Sequence, residues 1–144
     1  MSIADVMTVS VVSVGPGSSV RDAIRHMTER NVGAVAVSED GVIAGIFTER
    51  DVLRLAAAGE AFHDRPVSEV MTRQLAIAAP DDDISAIAEM MRDRAIRHVP
   101  VVEDGRLLGI VSVRDVMALL VERLWVAHDE RAHETARALL RRAG

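Results

Sequence analysis

Cysteine, lysine and tyrosine are absent from these 144 residues, and aromatics are limited to Phe47, Phe62 and Trp125. Without cysteine there are no disulfides, thiolate metal sites or cysteine nucleophiles, and a reducing cytoplasmic compartment is the natural expectation. Without lysine, Schiff-base chemistry and a P-loop lysine are excluded. All 17 basic side chains are therefore arginine. So few aromatics leave no stacking platform for single-stranded nucleic acid, and a net charge of -5 opposes binding to a phosphate backbone. No apolar run approaches the roughly 18 residues of a membrane span, and Met1-Ser2-Ile3-Ala4-Asp5 lacks the basic start of a signal peptide. Neither nucleic acid nor membrane is expected as a partner.

What is present is a chain of globular composition, 49% apolar and 27% charged, long enough for one shared core. It is also a repeat. Val6-Met7-Thr8 returns as Val70-Met71-Thr72, 64 positions later, and the register holds without a gap. Pro16 meets Pro80, Met27 meets Met91, Glu39-Asp40-Gly41 meets Glu103-Asp104-Gly105, and Arg50-Asp51-Val52 meets Arg114-Asp115-Val116. The chain is a tandem duplication.

Each copy predicts the order β-α-β-β-α. A β-branched run, Val9 to Val14 or Leu75 to Ala78, ends at Gly-Pro or Ala-Pro. A helix follows, capped in the first copy by Ser18 or Ser19, with Val20, Ala23, Ile24 and Met27 on one face; Ile84, Ile87, Ala88 and Met91 repeat that face. Two strands come next, Ala34 to Ser38 and Val42 to Phe47, then Val99 to Val102 and Leu107 to Val111, each pair joined through an Asp-Gly turn. The last helix of each copy starts at Thr48 or Ser112, and the first of these ends near Gly59. One copy alone buries too little apolar surface, so the expected fold is α/β of the α+β kind, two β-α-β-β-α units packed sheet to sheet about a pseudo-two-fold axis. The units are 1–64 and 65–126, with Glu60 to Pro66 as linker and 127–144 as a helical tail.

Chemistry concentrates at the two strand-to-helix junctions, Gly45-Ile46-Phe47-Thr48-Glu49-Arg50-Asp51 and Gly109-Ile110-Val111-Ser112-Val113-Arg114-Asp115. A hydroxyl residue followed three positions later by an acid is a capping box, which by itself needs no ligand. The same position also offers helix amides and a positive dipole to a phosphate, a hydroxyl to donate to it and an acid to accept from ribose hydroxyls. Arg50 and Arg114 add cations able to grip a phosphate. An apolar slot for adenine is expected at Val32 to Val35 and Ile96 to Val99.

The repeats, the opening Val-Met-Thr, the run Ile96-Arg97-His98-Val99-Pro100-Val101-Val102 and the two Gly-apolar-apolar-Thr/Ser-x-x-Asp junctions resemble a pair of CBS domains, the Bateman module, over about residues 1 to 126. The likeness is to the free-standing bacterial type. It implies a module without enzymatic activity and without an obligatory cofactor, sensing AMP, ADP, ATP, NAD or S-adenosylmethionine in the cleft between repeats. The acid would hold ribose and the Thr or Ser the phosphate, giving one site with Thr48, Arg50 and Asp51 and another with Ser112, Arg114 and Asp115. Arg97 and His98, next to the Val99-Pro100 pair, would reach the phosphate of the site on the opposite repeat. The first copy departs from the pattern, with Gly33-Ala34 for Arg97-His98 and Ala36 for Pro100, so the sites should be unequal and the Asp51 site richer in phosphate ligands. Homodimerisation into a flat disc and a regulated protein partner are further implications.

Other features carry less. Asp81-Asp82-Asp83 reads as a helix cap with favourable charge, not as a metal site. The five histidines include His128 and His133, whose spacing does not align them on a helix for zinc. From Glu122 to Gly144 the chain carries five Arg and four acids, and its thin apolar stripe with Trp125 suits a helix that meets a partner. Two rival functions remain: an enzyme using Asp51 or His98 as acid or base on a nucleotide, and a structural dimerisation module with no ligand.

Overall fold

The structure is a computed structural model, and it describes residues 2–7, 11–127 and 137–141. The first copy forms β1 (Ser13–Val14), α1 (Val20–Arg30), β2 (Ala34–Glu39), β3 (Val42–Thr48) and α2 (Glu49–Ala58). The second forms α3 (Ile84–Arg94), β4 (His98–Glu103), β5 (Arg106–Ser112) and α4 (Val113–Ala127). The expected start of the first strand at Val9, His128, His133, the Trp125 side chain and most of the tail lie outside what is described.

Local signals explain most elements. Ser19 caps α1, its side chain accepting from the Asp22 amide at 3.1 Å. Asp40-Gly41 and Asp104-Gly105 all adopt positive φ, the two-residue turn whose twist matches the flanking strands. Gly59 closes α2 at φ 74. The strand pairs carry a register shift at the same place in each copy, between Val37 and Ser38 and between Val101 and Val102. For the second long helix the expected cap differs: Asp83 stands at the N-cap of α3 without a side-chain cap bond, bonding Ser85 Oγ instead, while Asp82 accepts from the Ala79 amide at 2.8 Å.

One expected strand is nearly absent. Leu75 to Ala78 is reduced to a single bridge, Ala78 to Val101, whereas β1 makes a two-residue parallel ladder with β2. The Ala36 amide donates to the Val12 carbonyl at 3.0 Å. Its counterpart is Pro100, which has no N–H to donate, so the second copy cannot make that bond.

The strands form one five-stranded sheet in the order β1-β2-β3-β5-β4. The β3 and β5 strands of the two halves join edge to edge at their hairpin ends, where Val42 pairs with Arg106, Ile43 donates to Gly105 at 3.3 Å and Leu107 donates to Gly41 at 3.0 Å. Away from this seam the halves pack through Ala34, Ala36, Ile46 and Ile110, with Ile43, Leu75 and Leu107 at the margin. Each half has its own helix-side core, around Phe47, Val35 and Val37 in the first and Val99, Val101 and Val111 in the second.

The leading turns cross over. Ile3, fully buried, lies in the core of the second copy, where the Ile3 amide donates to Asp82 and the Ala4 amide to Pro80. Its counterpart Val67, also fully buried, lies in the core of the first, where Val67 donates to Ser18 at 2.7 Å and Ser68 to Pro16 at 3.1 Å. The segment from Glu60 to Pro66 likewise binds α1, with the carbonyls of Arg65 and His63 accepting from Val20 and Arg21. Packing therefore does not follow the sequence repeat at these turns, and each copy is completed by the lead of the other.

Candidate functional site

At the α2 junction the capping box is complete. Asp51 Oδ2 accepts from the Thr48 amide at 2.9 Å and from Thr48 Oγ1 at 3.2 Å, while the Asp51 amide donates to Thr48 Oγ1 at 3.4 Å. Thr72, at the end of the crossing segment, donates to Asp51 Oδ1 at 3.3 Å, and Arg54 Nη1 lies 3.5 Å from the same oxygen. Asp51 is only 4% exposed and is the one buried charged residue among those described. The Glu49 amide donates to the Gly33 carbonyl at 3.0 Å. The hydroxyl, the carboxylate and two first-turn amides assigned from sequence to ribose and phosphate are thus engaged within the protein. A ribose would have to take the place of Thr72 or Arg54 to reach Asp51. Arg50 is exposed.

The α4 junction repeats the box with a more open acid. Asp115 Oδ2 accepts from the Ser112 amide at 2.9 Å, and the Asp115 amide donates to Ser112 Oγ at 3.2 Å. Asp115 is half-buried and borders a recess of about 170 Å³ with Val6, Ala118, Leu119 and Glu122. The Val113 amide donates to the Arg97 carbonyl at 2.9 Å, the counterpart of the Glu49–Gly33 bond. Arg97 and Arg114 are exposed. Thr8, the counterpart of Thr72, lies outside the described residues.

His98 connects the two junctions. It opens β4 and pairs across the strands with Ser112. A Cβ built on Gly33 would stand 3.2 Å from His98 Cε1 and 3.0 Å from Glu49 Oε1, so the imidazole of one copy and the carboxylate of the other flank the same glycine. Burial pushes the His98 pKa below its ordinary value; Glu49 and Asp115 oppose that shift and Arg97 reinforces it.

Other sequence-derived residues fall elsewhere. Pro100 is fully buried within β4, and Val35 and Val99 are in the helix-side cores, so of the apolar side chains in the expected adenine slot only Val32 and Ile96 retain appreciable exposure. Glu49, Arg54 and Thr72 were not among the candidates. Thr72 carried a signal, the recurrence of Met-Thr, and Glu49 differs from Val113 in the same register. A wider open recess of about 600 Å³, lined by Arg21, His63, Asp64, Arg65 and Glu69 among others, shares no residue with either junction. Among the described residues no three His, Asp or Glu side chains are grouped to hold a metal, and no helix is long and apolar enough to cross a membrane.

Similarity to known proteins follows the same architecture. The chain is 37% identical over 116 residues to the CBS domain-containing protein YhcV of Bacillus subtilis, spanning 80% of this chain and 82% of that protein. It is 36% identical to the crystal structure of the CBS-domain containing protein ATU1752 from Agrobacterium tumefaciens, with a TM-score of 0.76 over 83% of this chain and 98% of that one. At 24% identity, the CBS domain pair of protein MJ0100, solved with 5′-methylthioadenosine and S-adenosyl-L-methionine, shares the fold with a TM-score of 0.78 over 85% of this chain and 98% of that chain. The family description CBS domain matches residues 3–58 and again 67–122, one match to each copy. The duplicated β-α-β-β-α chain, with a capped strand-to-helix junction in each half, belongs to the CBS-domain family as a tandem pair.

Proposed function

We propose that this CBS pair is a regulatory module that binds an adenosine-containing ligand, AMP, ADP, ATP or NAD, between its repeats, and that it does no chemistry on that ligand. The observation that carries this reading is the meeting of His98 with Gly33 and Glu49, because a ligand at the α2 junction would touch both repeats at once. Thr48, Arg50 and Asp51, with His98 and Arg97 of the opposite repeat, would form one site; Ser112, Arg114 and Asp115 the other, with Pro100 supporting β4. The adenosine ligands of the MJ0100 pair support the ligand class. Such a ligand shifts the angle between the repeats only as far as it binds one arrangement better than another. The repeats 1–64 and 65–126 would be the moving bodies, and the tail 127–144 or a regulated protein the reader of their movement.

A cytoplasmic homodimer is part of the same proposal. Leu53 and Met117, which occupy the same register on α2 and α4, are 72% and 59% exposed, and Leu120 and Leu124 extend that face along α4. Apolar side chains repeated on both copies suit a symmetric partner, a second copy of this chain.

Thermal unfolding with AMP, ADP, ATP, NAD and S-adenosylmethionine tests the reading. A ligand present at a hundredfold excess over its Kd stabilises the native state by about 2.7 kcal/mol. No shift with any of them supports a structural dimerisation module instead, and turnover of ATP, ADP or NAD on prolonged incubation supports an enzyme.

A further inference from the structure

We infer that Thr72 is an internal competitor for the ribose at the α2 junction: its hydroxyl occupies the one oxygen of Asp51 that the helix cap leaves over, and a ligand's ribose hydroxyl must displace it. The inference rests on the adenosine-binding reading above and deepens it. It adds a residue that sets affinity by withholding the carboxylate.

The Asp51 carboxylate divides its work between its two oxygens. Oδ2 serves the cap, accepting from the Thr48 amide at 2.9 Å and from Thr48 Oγ1 at 3.2 Å, and Oδ2 of Asp115 accepts from the Ser112 amide in the same way. Those bonds hold the first turn of α2 whether or not a ligand is bound. Oδ1 takes no cap bond. It accepts from Thr72 Oγ1 at 3.3 Å, across 21 positions of sequence, with the same hydroxyl 3.5 Å from Oδ2, and Arg54 Nη1 stands 3.5 Å from it. With these neighbours in place the Asp51 side chain is 5% exposed.

The two neighbours of Oδ1 differ in how freely they leave. The Arg54 side chain is 72% exposed, so its guanidinium can swing into water. Thr72 is pinned. Its amide donates to the Ile46 carbonyl at 2.9 Å and its carbonyl accepts from the Ile46 amide at 3.0 Å, while Met71 beside it is buried in the core of the first copy. A Cβ built on Gly45 would stand 2.9 Å from the Thr72 carbonyl oxygen, so the segment lies tight against β3. The residue cannot withdraw as a whole while the segment is seated; its hydroxyl can only turn away about χ1, and that breaks a bond to a buried charge.

A ribose hydroxyl that reaches Oδ1 therefore trades one hydrogen bond for another. The apparent affinity falls by the fraction of molecules in which Thr72 has let go. The displaced hydroxyl belongs to the segment that leads into the second copy, so occupancy of the junction is coupled to how that segment sits on the first.

Titration calorimetry of the full chain with adenosine and with 2′,3′-dideoxyadenosine, which lacks both ribose hydroxyls, tests this. Thr72→Ala is expected to tighten adenosine at one site about five- to tenfold and to change dideoxyadenosine affinity by less than about twofold. Thr72→Ser, which keeps the donor, should retain the affinities of the unmodified chain. Thr72→Val carries the same comparison should urea unfolding show that Thr72→Ala does not fold. Adenosine affinity that is unchanged or weaker in the variant without the hydroxyl, or an equal gain for both nucleosides, overturns the competitor role and leaves adenosine binding intact. Absence of binding heat and of thermal shift with adenosine in the unmodified chain and in the variant alike instead overturns the adenosine reading itself.

Discussion

Thr72 places its hydroxyl 3.3 Å from Asp51 Oδ1, so the segment that leads into the second repeat ends by hydrogen-bonding the helix cap of the first. The same segment pairs with β3, Thr72 and Ile46 exchanging amide-to-carbonyl bonds at 2.9 and 3.0 Å. One short stretch therefore holds the core, the sheet and the candidate site of the opposite repeat together. A movement of the repeats would be felt at Asp51.

Thr72→Val keeps the side-chain shape and removes the donor to a buried carboxylate, and is expected to lower stability by about 1–3 kcal/mol. Urea unfolding measures it. Combined with Asp51→Ala, the two effects should be non-additive by about 0.5–3 kcal/mol, as for groups in direct contact. Strict additivity would mean the pair contributes nothing.

Gly45 sits beneath the same crossing segment. A Cβ there would stand 2.6 Å from Met71 Sδ and 2.9 Å from the Thr72 carbonyl oxygen. The thioether can move but the backbone carbonyl cannot easily do so, so Gly45→Ala is expected to destabilise by about 1–3 kcal/mol. Met71→Ala should relieve only part of that loss. Gly17→Ala is the control, because nothing lies within 4 Å of its would-be Cβ. Equal effects of the two glycine substitutions would remove the steric argument.

Ala95 ends α3 in the left-handed conformation at φ 53, the place that Asn31 occupies at the end of α1 with φ 52. A left-handed alanine costs about 1–2 kcal/mol, and asparagine tolerates this conformation better. Ala95→Asn should therefore stabilise the chain by about 0.5–1 kcal/mol, and Asn31→Ala should do the reverse. Differential scanning calorimetry would read opposite shifts in Tm; shifts of the same sign would contradict the argument.

His98 makes stability depend on pH in a set direction. Its folded-state pKa lies below the ordinary value of 6.5, so the unfolded chain binds the proton more readily. The stability it contributes is fully present above about pH 6.5 and is lost as the pH falls from there to the lowered folded-state value. In ligand-free protein, His98→Gln should flatten the rise in unfolding free energy across that window. An unchanged slope would show that burial of His98 does not govern its proton.

Much of the local structure was legible because its causes are short-range. The spacing of Val20, Ala23 and Met27 predicted the buried face of α1, the Asp-Gly pairs predicted both hairpins, and the Thr48–Asp51 and Ser112–Asp115 spacings predicted both caps. Each depends on contacts between residues three or four apart or on a two-residue turn. The 64-residue register then implied two like units sharing an interface.

Tertiary structure alone decided which half each segment completes. Ile3 and Val67 are apolar residues in short turns, and their sequence neighbourhood is the same whether they pack on their own repeat or on the other. Only the closed fold shows the exchange, because burial depends on where the chain returns. Asp51 likewise reads as an open carboxylate until Thr72 and Arg54 are brought to it. Glu49 reads as an ordinary first-turn acid until Gly33 lets His98 come beside it. Composition, repeat and caps were determined by the sequence itself; the closure of one cap and the meeting of Glu49 and His98 at Gly33 arise from contacts between residues far apart in the chain, which no local periodicity encodes.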